Sequence, residues 1–408
     1  MPSRLERLFA ALLALVLLAG APLRAAAETE IVVWHAYRAA EKAAIEKVAA
    51  AYGASHPGVK VTTLAVPYDA FADKISAAVP RGKGPDIFIY AQDRLGGWIE
   101  AGNTVEPVDF FLDKPTRDRF IPSTLDAVTY KGTVYGLPVN YKVITLIYNK
   151  KLVTTPPRTS TELVTLAKRL TDKSAGRFGL AYWYSDYYYH AAVQNAFGGR
   201  VFEKGTAKPV LNAPENVKAL DLLVNWLDQG ILPAEPSTAL ITALFNQGKA
   251  AMIFTGPWFL GEIAPEIDYG LAQLPTVAEA GNAPLRPWMT VEGAYIAAPS
   301  KNKDVAYDFM KYLTDKDAAR IMALEGRQSP SNKATYDDPK VAADPVLKAF
   351  RTQVEVAVPM PNLAEMTMVW SPATIMMASV AKRSTPPKAA ADKAQAEVLK
   401  SLSELRRK

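Results

Sequence analysis

Cysteine is absent from the 408-residue sequence, and histidine occurs only as His35, His56 and His190. Without cysteine, disulfides and thiolate metal ligands are excluded, and the histidines are too far apart to form a ligand pair on one helix. The sequence also lacks a Gly-x-Ser-x-Gly motif and a glycine-rich phosphate loop. We therefore expect no cofactor, no metal and no catalytic residue, with His35 and His190 as polar wall residues.

A strong charge imbalance is also missing. Lysine and arginine number 47 against 41 acidic residues, a formal net charge of +6, and the only basic block is Arg406-Arg407-Lys408. This balance indicates no nucleic-acid partner. Hydrophobic residues make up 49% of the chain, which is ordinary globular composition, and the length predicts more than one compact unit.

The first 27 residues have the pattern of a secretory signal peptide. Arg4 and Arg7 precede an apolar run from Leu8 to Ala21, and Ala25-Ala26-Ala27 supplies a cleavage site. The run is shorter than the ~20 residues of a membrane-spanning helix, so an uncleaved anchor is the weaker alternative. Because no cysteine is present for lipidation, we expect a mature periplasmic protein without a lipid anchor.

The first half of the mature chain alternates strands and helices. The pattern predicts strands at 31–34, 59–64 and 87–90, separated by helices at 39–52 and 69–79. This βαβαβ order predicts an α/β fold with a parallel, doubly wound sheet. Further on, the pattern predicts strands at 143–148, 250–255 and 294–298 and helices near 159–173, 214–229, 237–247, 303–314 and 315–324.

The stretch Gly84–Trp98 carries the first candidate site. Tyr90 lies in the predicted strand, and Asp93 and Arg94 follow it directly. Ligands bind at the carboxyl ends of strands in such sheets. A carboxylate, a guanidinium and an aromatic face suit a neutral polyhydroxylated ligand. The alternative is a helix-start aspartate beside a solvated arginine.

Four segments together resemble the maltose/maltodextrin-binding proteins, the extracellular substrate-binding subunits of carbohydrate ABC transporters. They are Gly84–Trp98, Asn140–Lys150 (NYKVITLIYNK), Ala243–Trp258 (ALFNQGKAAMIFTGPW) and Met360–Trp370 (MPNLAEMTMVW). The resemblance implies a two-lobed periplasmic-binding-protein fold with a ligand cleft between the lobes. Its three-crossing hinge is expected near 140–143, 288–293 and 343–346.

The resemblance also implies the organisation and role of the protein. We expect an N-terminal lobe of 28–140 plus 294–342 and a C-terminal lobe of 143–288 plus 346–408. The expected function is capture of a gluco-oligosaccharide, without altering it, and its delivery by a monomer to the membrane permease subunits of an ABC transporter. Alternatives are another solute, such as trehalose, a cyclodextrin, a polyamine, a metal or a peptide, or a periplasmic glycoside hydrolase that uses two carboxylates.

The ligand-binding residues that the resemblance implies fall in both lobes. They are the hydrogen-bonding pair Asp93 and Arg94, the aromatic residues Tyr90, Tyr188, Trp258 and Trp370, and also Asp186 and Met360. For Trp258 and Trp370, packing in a lobe core is the alternative.

Two positions depart from the family pattern. Lys142 replaces a glutamate near the first crossing, and Arg38 lies where an Asp-Lys pair is expected. A lysine only donates hydrogen bonds, and two cations repel unless an acid such as Glu41 or Glu292 lies between them. We therefore expect this part of the cleft to accept a different sugar unit or linkage or to be partly unused. The alternative for Lys142 is a solvated hinge residue.

Overall fold

A computed structural model describes residues 28–406, so the predicted signal peptide lies outside the described residues. The strands are β1 Thr29–His35, β2 Val59–Ala65, β3 Ile87–Ala91, β4 Thr129–Tyr130, β5 Thr133–Val134, β6 Gly136–Lys142, β7 Thr145–Asn149, β8 Phe178–Ala181, β9 Ala250–Thr255, β10 Tyr269–Ala272, β11 Thr276–Val277, β12 Ala283–Pro284, β13 Trp288–Ile296, β14 Ser329–Pro330 and β15 Val358–Pro359. The helices are α1 Ala39–Ser55, α2 Tyr68–Ala78, α3 Leu95–Ala101, α4 Lys114–Asp118, α5 Pro122–Ala127, α6 Ser160–Leu170, α7 Tyr187–Ala196, α8 Pro214–Asp228, α9 Thr238–Asn246, α10 Lys303–Leu313, α11 Lys316–Leu324, α12 Pro339–Ala343, α13 Pro345–Val354, α14 Trp370–Ala381 and α15 Pro387–Arg406.

A seven-stranded sheet organises the first part of the chain. Its order is β14-β6-β13-β3-β1-β2, with β15 also paired to β13. β1 runs parallel to both β2 and β3, which confirms the predicted βαβαβ unit. β13 is antiparallel to β3 and β6, so the sheet as a whole is mixed, and the predicted parallel pairing holds for β1, β2 and β3 only.

A four-stranded sheet organises the second part. Its order is β10-β7-β9-β8, with β7 antiparallel to both β9 and β10 and β8 parallel to β9. The chain passes from the first sheet to the second between Lys142 and Thr145. Residues of β7 and β9 are buried almost throughout, because helices and loops cover both faces of the sheet.

Two large hydrophobic cores accompany the two sheets. Ile31, Phe88 and Tyr295 belong to the first core, and Leu146, Trp226 and Met377 belong to the second. β13 contributes to both, because Trp288 packs in the second core and the strand from Val291 onward packs in the first. Phe350 of α13 packs in the first core, although the predicted C-terminal lobe includes it. The lobe boundaries stay a prediction.

The sequence did not predict β6 as a strand. Pro138 lies within it and has no N–H for a neighbouring strand, so it is typical of strand edges and bulges. In the structure Pro138 pairs with Gly293 beside a β-bulge between Glu292 and Gly293. The bulge interrupts the regular hydrogen-bond pattern between β6 and β13, so the missing N–H of Pro138 is tolerated there. β13 also begins six residues earlier than the predicted start at Ala294.

Candidate ligand-binding cleft

The ends of three strands of the seven-stranded sheet and the middle of a fourth, β13, lie along one edge, here called the cleft edge. β1 ends at His35, and β3, which runs parallel to it, ends at Ala91. β13 is antiparallel to β3 and places Glu292 opposite Ala91. β6 ends at Lys142, which pairs with Thr290 of β13. Sheet topology therefore brings together residues that lie far apart in the sequence.

Asp93 and Arg94 lie on this edge, in the single helical turn Gln92–Arg94 that follows β3. Arg94 Nε is 3.3 Å from Asp93 Oδ2, and the side chain of Asp93 is only 7% exposed. Burial raises the pKa of Asp93 to about 6, although the positive charge of Arg94 opposes the change. Asp93 Oδ1 has no hydrogen-bond partner within residues 28–406. This oxygen is a buried acceptor suited to a ligand hydroxyl group.

Tyr90 lies just inside the cleft edge, in the core of the first sheet. Its ring stacks on Phe71 with centroids 4.8 Å apart and on Tyr68 at 4.9 Å. Only 5% of Tyr90 is exposed. Tyr90 therefore supports the turn that carries Asp93, and its ring offers little free surface for stacking with a ligand.

Lys142 is the centre of a charged group that we call the lysine cluster, formed by Glu41, Lys142 and Glu292. Lys142 Nζ lies 3.0 Å from Glu292 Oε1 and 3.2 Å from Glu41 Oε1. Burial alone lowers the pKa of Lys142, but the two carboxylates outweigh this effect and the pKa is raised. The Lys142 side chain is 14% exposed, so the alternative of a solvated hinge lysine is wrong.

Arg38 does not join this cluster. It is exposed at the N-cap position of α1 and makes no side-chain capping hydrogen bond. None of the ion pairs found in the described part of the chain includes it. The acids expected between the two cations, Glu41 and Glu292, both pair with Lys142, so repulsion from Arg38 is offset by two nearby negative charges.

The aromatic candidates of the second part form a row, here called the aromatic row: Trp258, Tyr188, Trp288 and Trp370. The ring centroids of Trp258 and Tyr188 are 6.1 Å apart, those of Tyr188 and Trp288 are 6.2 Å apart, and those of Trp288 and Trp370 are 5.9 Å apart. Trp258, Tyr188 and Trp370 are partly exposed. Their rings therefore combine packing against the second core with surface that faces outward.

Trp288 is the member of the row that the sequence did not predict as a site residue. It is 2% exposed and lies edge-on to Trp370, with an interplanar angle of 81°. Edge-to-face contact is a favourable arrangement of aromatic rings. Trp288 therefore fixes its neighbours without offering a surface of its own. Trp288 lies at the start of a strand and far in sequence from the other tryptophans. No sequence pattern therefore indicated that it packs against them.

The aromatic row reaches the cleft edge through Tyr188. The hydroxyl of Tyr188 lies 3.4 Å from Thr290 Oγ1, and Thr290 Oγ1 donates to the carbonyl oxygen of Lys142 at 3.3 Å. The tyrosine is the only partly exposed one in the run from Tyr182 to Tyr189, since the other four are buried.

Asp186 and Met360 hold the backbone around this arrangement. Asp186 Oδ1 caps α7 by accepting from the backbone N–H of Tyr188 at 2.8 Å, and burial raises its pKa despite that bond. Met360 is 4% exposed, and its carbonyl oxygen accepts from Gln92 Nε2 at 3.2 Å. Gln92 also accepts from the N–H of Val291 at 2.7 Å, and so connects three segments that the sequence did not relate.

The expected wall positions of His35 and His190 are wrong. Both side chains are buried in the interior, at 0% and 1% exposure. Burial lowers the pKa of His35 to about 4 and that of His190 to about 3. The sequence around each is apolar enough to have indicated a core position. Among residues 28–406, no group of three acidic, histidine or cysteine side chains is arranged to hold a metal ion.

The profile of the bacterial extracellular solute-binding protein family matches residues 36–320. The chain belongs to this family, whose members bind solutes and are not enzymes. Its two-sheet α/β structure is the fold of maltose-binding periplasmic proteins, which confirms the predicted fold class. No helix within the described range is long and apolar enough to cross a membrane.

Relatives with known ligands cover most of the chain. The maltotriose-binding protein of Pyrococcus abyssi is 32% identical over 347 residues, 84% of this chain and 75% of the relative. The galactooligosaccharide-binding protein of Bacillus subtilis is 27% identical over 379 residues, 90% of this chain and 88% of the relative. The maltotriose-binding protein of Thermus thermophilus, solved with maltotriose, superposes with a TM-score of 0.82 at 28% identity, covering 91% of this chain and 100% of that one.

Proposed function

We propose that the protein binds a neutral oligosaccharide between two lobes and delivers it, unaltered, to the permease of a sugar ABC transporter. The observation that carries the proposal is the meeting of the aromatic row with the polar cleft edge at Tyr188 and Thr290. Sugar rings have C–H faces that pack on aromatic rings and hydroxyl groups that need polar partners. A cleft with aromatic residues on one side and carboxylates on the other matches both requirements.

The proposed cargo is a maltodextrin. The resemblance of the sequence, the maltotriose-binding relative at 32% identity and the Thermus structure with maltotriose support an α-linked glucan. A galacto-oligosaccharide is the second candidate, and the Bacillus relative supports it. The proposed ligand contacts are Asp93, Arg94, Trp258, Trp370 and Tyr188, with Tyr90, Asp186, Met360, Lys142 and Arg38 around them.

The proposed setting is the periplasm, with the protein released from the membrane after cleavage near residue 27. The absence of cysteine from the sequence supports a form without lipid, whereas a relative from Streptococcus pneumoniae is a lipoprotein. The proposed lobes are 28–140 plus 294–342 and 143–288 plus 346–408. Closure of these lobes over the sugar would present the loaded form to the permease.

Isothermal titration calorimetry tests the proposal. The purified chain is titrated with maltotriose, maltotetraose, β-1,4-galactotriose and, as a polycation control, spermidine. The expected result is saturable binding of at least one oligosaccharide and none of spermidine. Chromatography of the sugar after long incubation is expected to recover it intact. Binding of spermidine alone, or sugar cleavage that scales with protein concentration, would contradict the proposal.

A further inference from the structure

The lysine cluster contains a carboxylate with unused hydrogen-bonding capacity. Glu292 is 5% exposed, and its Oε1 pairs with Lys142 Nζ at 3.0 Å. Its other oxygen, Oε2, is buried and has no hydrogen-bond partner in the described part of the chain. Buried polar atoms nearly always have partners, so Oε2 is an acceptor that a ligand hydroxyl group can use.

The ammonium group of Lys142 is already engaged with two acids. Glu292 and Glu41 lie 3.0 and 3.2 Å from it, and Glu41 is itself anchored by Gln328 Nε2 at 3.3 Å. A lysine has three N–H donors and no acceptor. Two of its donors are therefore committed within the protein. Lys142 fixes the carboxylate of Glu292 in position and compensates its charge.

A free donor lies on the strand next to Glu292. Asn140 pairs with Glu292 across β6 and β13. Its Oδ1 accepts from the hydroxyl of Tyr37 at 2.9 Å, which leaves Nδ2 buried without a partner among residues 28–406. An acceptor and a donor on paired residues match a sugar hydroxyl, which both donates and accepts.

The position of Glu292 places this acceptor on the cleft edge. Glu292 lies opposite Ala91, and Ala91 precedes Asp93 by two residues. On its own strand, Glu292 follows Thr290 by two residues. The Thr290 side chain lies 3.4 Å from the hydroxyl of Tyr188 in the aromatic row. An oligosaccharide packed along the aromatic row therefore ends near the lysine cluster. The cluster carries two carboxylates and one ammonium group, a net charge that disfavours acidic sugars.

We propose that Glu292 is the carboxylate that accepts hydrogen bonds from hydroxyl groups of the sugar unit at this end of the cleft, and that Lys142 is the residue that positions it. The inference rests on the proposed function of oligosaccharide binding. It makes specific the sequence-based expectation, in which this part of the cleft accepts a different sugar unit or linkage or is partly unused. Glu292 of β13 supplies the hydrogen-bond acceptor and Lys142 of β6 supplies the cation. The part of the cleft at the lysine cluster therefore binds a sugar unit, and it selects neutral units that carry hydroxyl groups.

Calorimetry on four variants tests the assignment, with maltotriose, maltotetraose and β-1,4-galactotriose as probes. Glu292→Gln removes the negative charge and keeps the shape. Lys142→Met removes the positioning cation, and Lys142→Arg retains a cation. Glu325→Gln is the matched control, because Glu325 is a half-exposed carboxylate whose partner is Lys47 at 2.7 Å. Circular dichroism and thermal unfolding check that each variant is folded.

Glu292→Gln is expected to weaken the binding of the sugar that the wild-type protein binds by about tenfold or more, since a hydrogen bond to a charged group is lost. Lys142→Met is expected to weaken it similarly and Lys142→Arg to restore most of it, while Glu325→Gln stays within twofold. A folded Glu292→Gln protein with unchanged affinity overturns the inference alone. If Glu292→Gln does not fold, an unchanged affinity in folded Lys142→Met overturns it. Failure of all three probes to bind the wild-type protein overturns the proposed function and this inference together.

Discussion

Lys142 and Glu292 form an ion pair of 3.0 Å between neighbouring antiparallel strands, and both side chains are largely buried. Removing one partner of such a pair leaves an uncompensated charge in the interior. We expect Lys142→Met to lower the free energy of unfolding by about 3–5 kcal/mol. The double variant Lys142→Met/Glu292→Gln is expected to recover part of this loss. Chemical denaturation of both variants measures the two values, and equal stability of the single variant and the wild type would contradict the burial of the pair.

Lys142→Glu restores the glutamate that the family pattern has at this position, but we expect it to destabilise this protein. It places three carboxylates together in a partly buried site, where like charges repel. We expect this variant to be less stable than Lys142→Met at neutral pH and to regain stability as the pH is lowered. Thermal unfolding at pH 7 and pH 5 compares the two variants. A Lys142→Glu protein as stable as the wild type at pH 7 would refute the cluster geometry.

Gly96 marks a close approach between α3 and the segment that follows Met360. A Cβ atom at Gly96 would lie 2.4 Å from the carbonyl oxygen of Asn362, whereas one at Gly97 would meet only Thr367 Cγ2, at 3.4 Å. Gly96→Ala must displace backbone, and we expect it to cost about 1–3 kcal/mol of stability. Gly97→Ala is the matched control and is expected to be neutral or slightly stabilising, because alanine favours helix. Equal unfolding midpoints for the two variants would contradict this packing.

The aromatic row is expected to contribute more to affinity than any single hydrogen bond. A hydrogen bond to a sugar replaces one to water, so it nets only about 0.5–1.5 kcal/mol between neutral groups and about 1.5–3 kcal/mol when the acceptor is an ionised carboxylate such as Asp93. Burying ring surface against the sugar involves no such exchange. We expect Trp370→Ala to weaken binding by about 2 kcal/mol or more, and more than Asp93→Ala does. Calorimetry that ranks the two variants in the opposite order would contradict the expectation that ring stacking contributes most to affinity.

The raised pKa of Asp93, about 6, predicts that affinity depends on pH. A sugar hydroxyl that donates to Asp93 favours the ionised carboxylate, so protons compete with the ligand below pH 6. We expect affinity to be roughly tenfold lower at pH 5 than at pH 7.5. Burial also raises the pKa of Asp186, so Asp93→Asn is needed to separate the two contributions. If affinity depends on pH in Asp93→Asn as it does in the wild type, the result would contradict a direct contact between Asp93 and the sugar.

The local elements and the core of the first sheet could be predicted from the sequence, because their patterns are short and periodic. Ile87–Ala91 and Ala250–Thr255 are apolar runs between turn residues, and both are strands. The pairing of strands could not be predicted in the same way. β13 inserts antiparallel between β3 and β6, and no local pattern encodes a neighbour some two hundred residues away.

The same limit applies to the candidate site. Asp93 and Arg94 are adjacent in sequence, and their position after a strand was enough to indicate a cleft. The ion-pair partners of Lys142 are Glu41 of α1 and Glu292 of β13. These carboxylates reach Lys142 only in the folded protein, so the sequence alone could not show that its charge is compensated. Trp288 reads as an ordinary strand residue, and its contact with Trp370 at 5.9 Å exists only because two distant segments pack together.

A crystal structure of the mature chain with the oligosaccharide that binds in calorimetry tests the central claim most directly. The predicted result is sugar between the two sheets, with its rings against Trp258 and Trp370 and its hydroxyl groups toward Asp93 and Glu292. Sugar bound elsewhere, for example in the open groove of about 740 Å³ lined by Tyr184, Asp228 and Arg383, with the cleft free of ligand, would contradict the account.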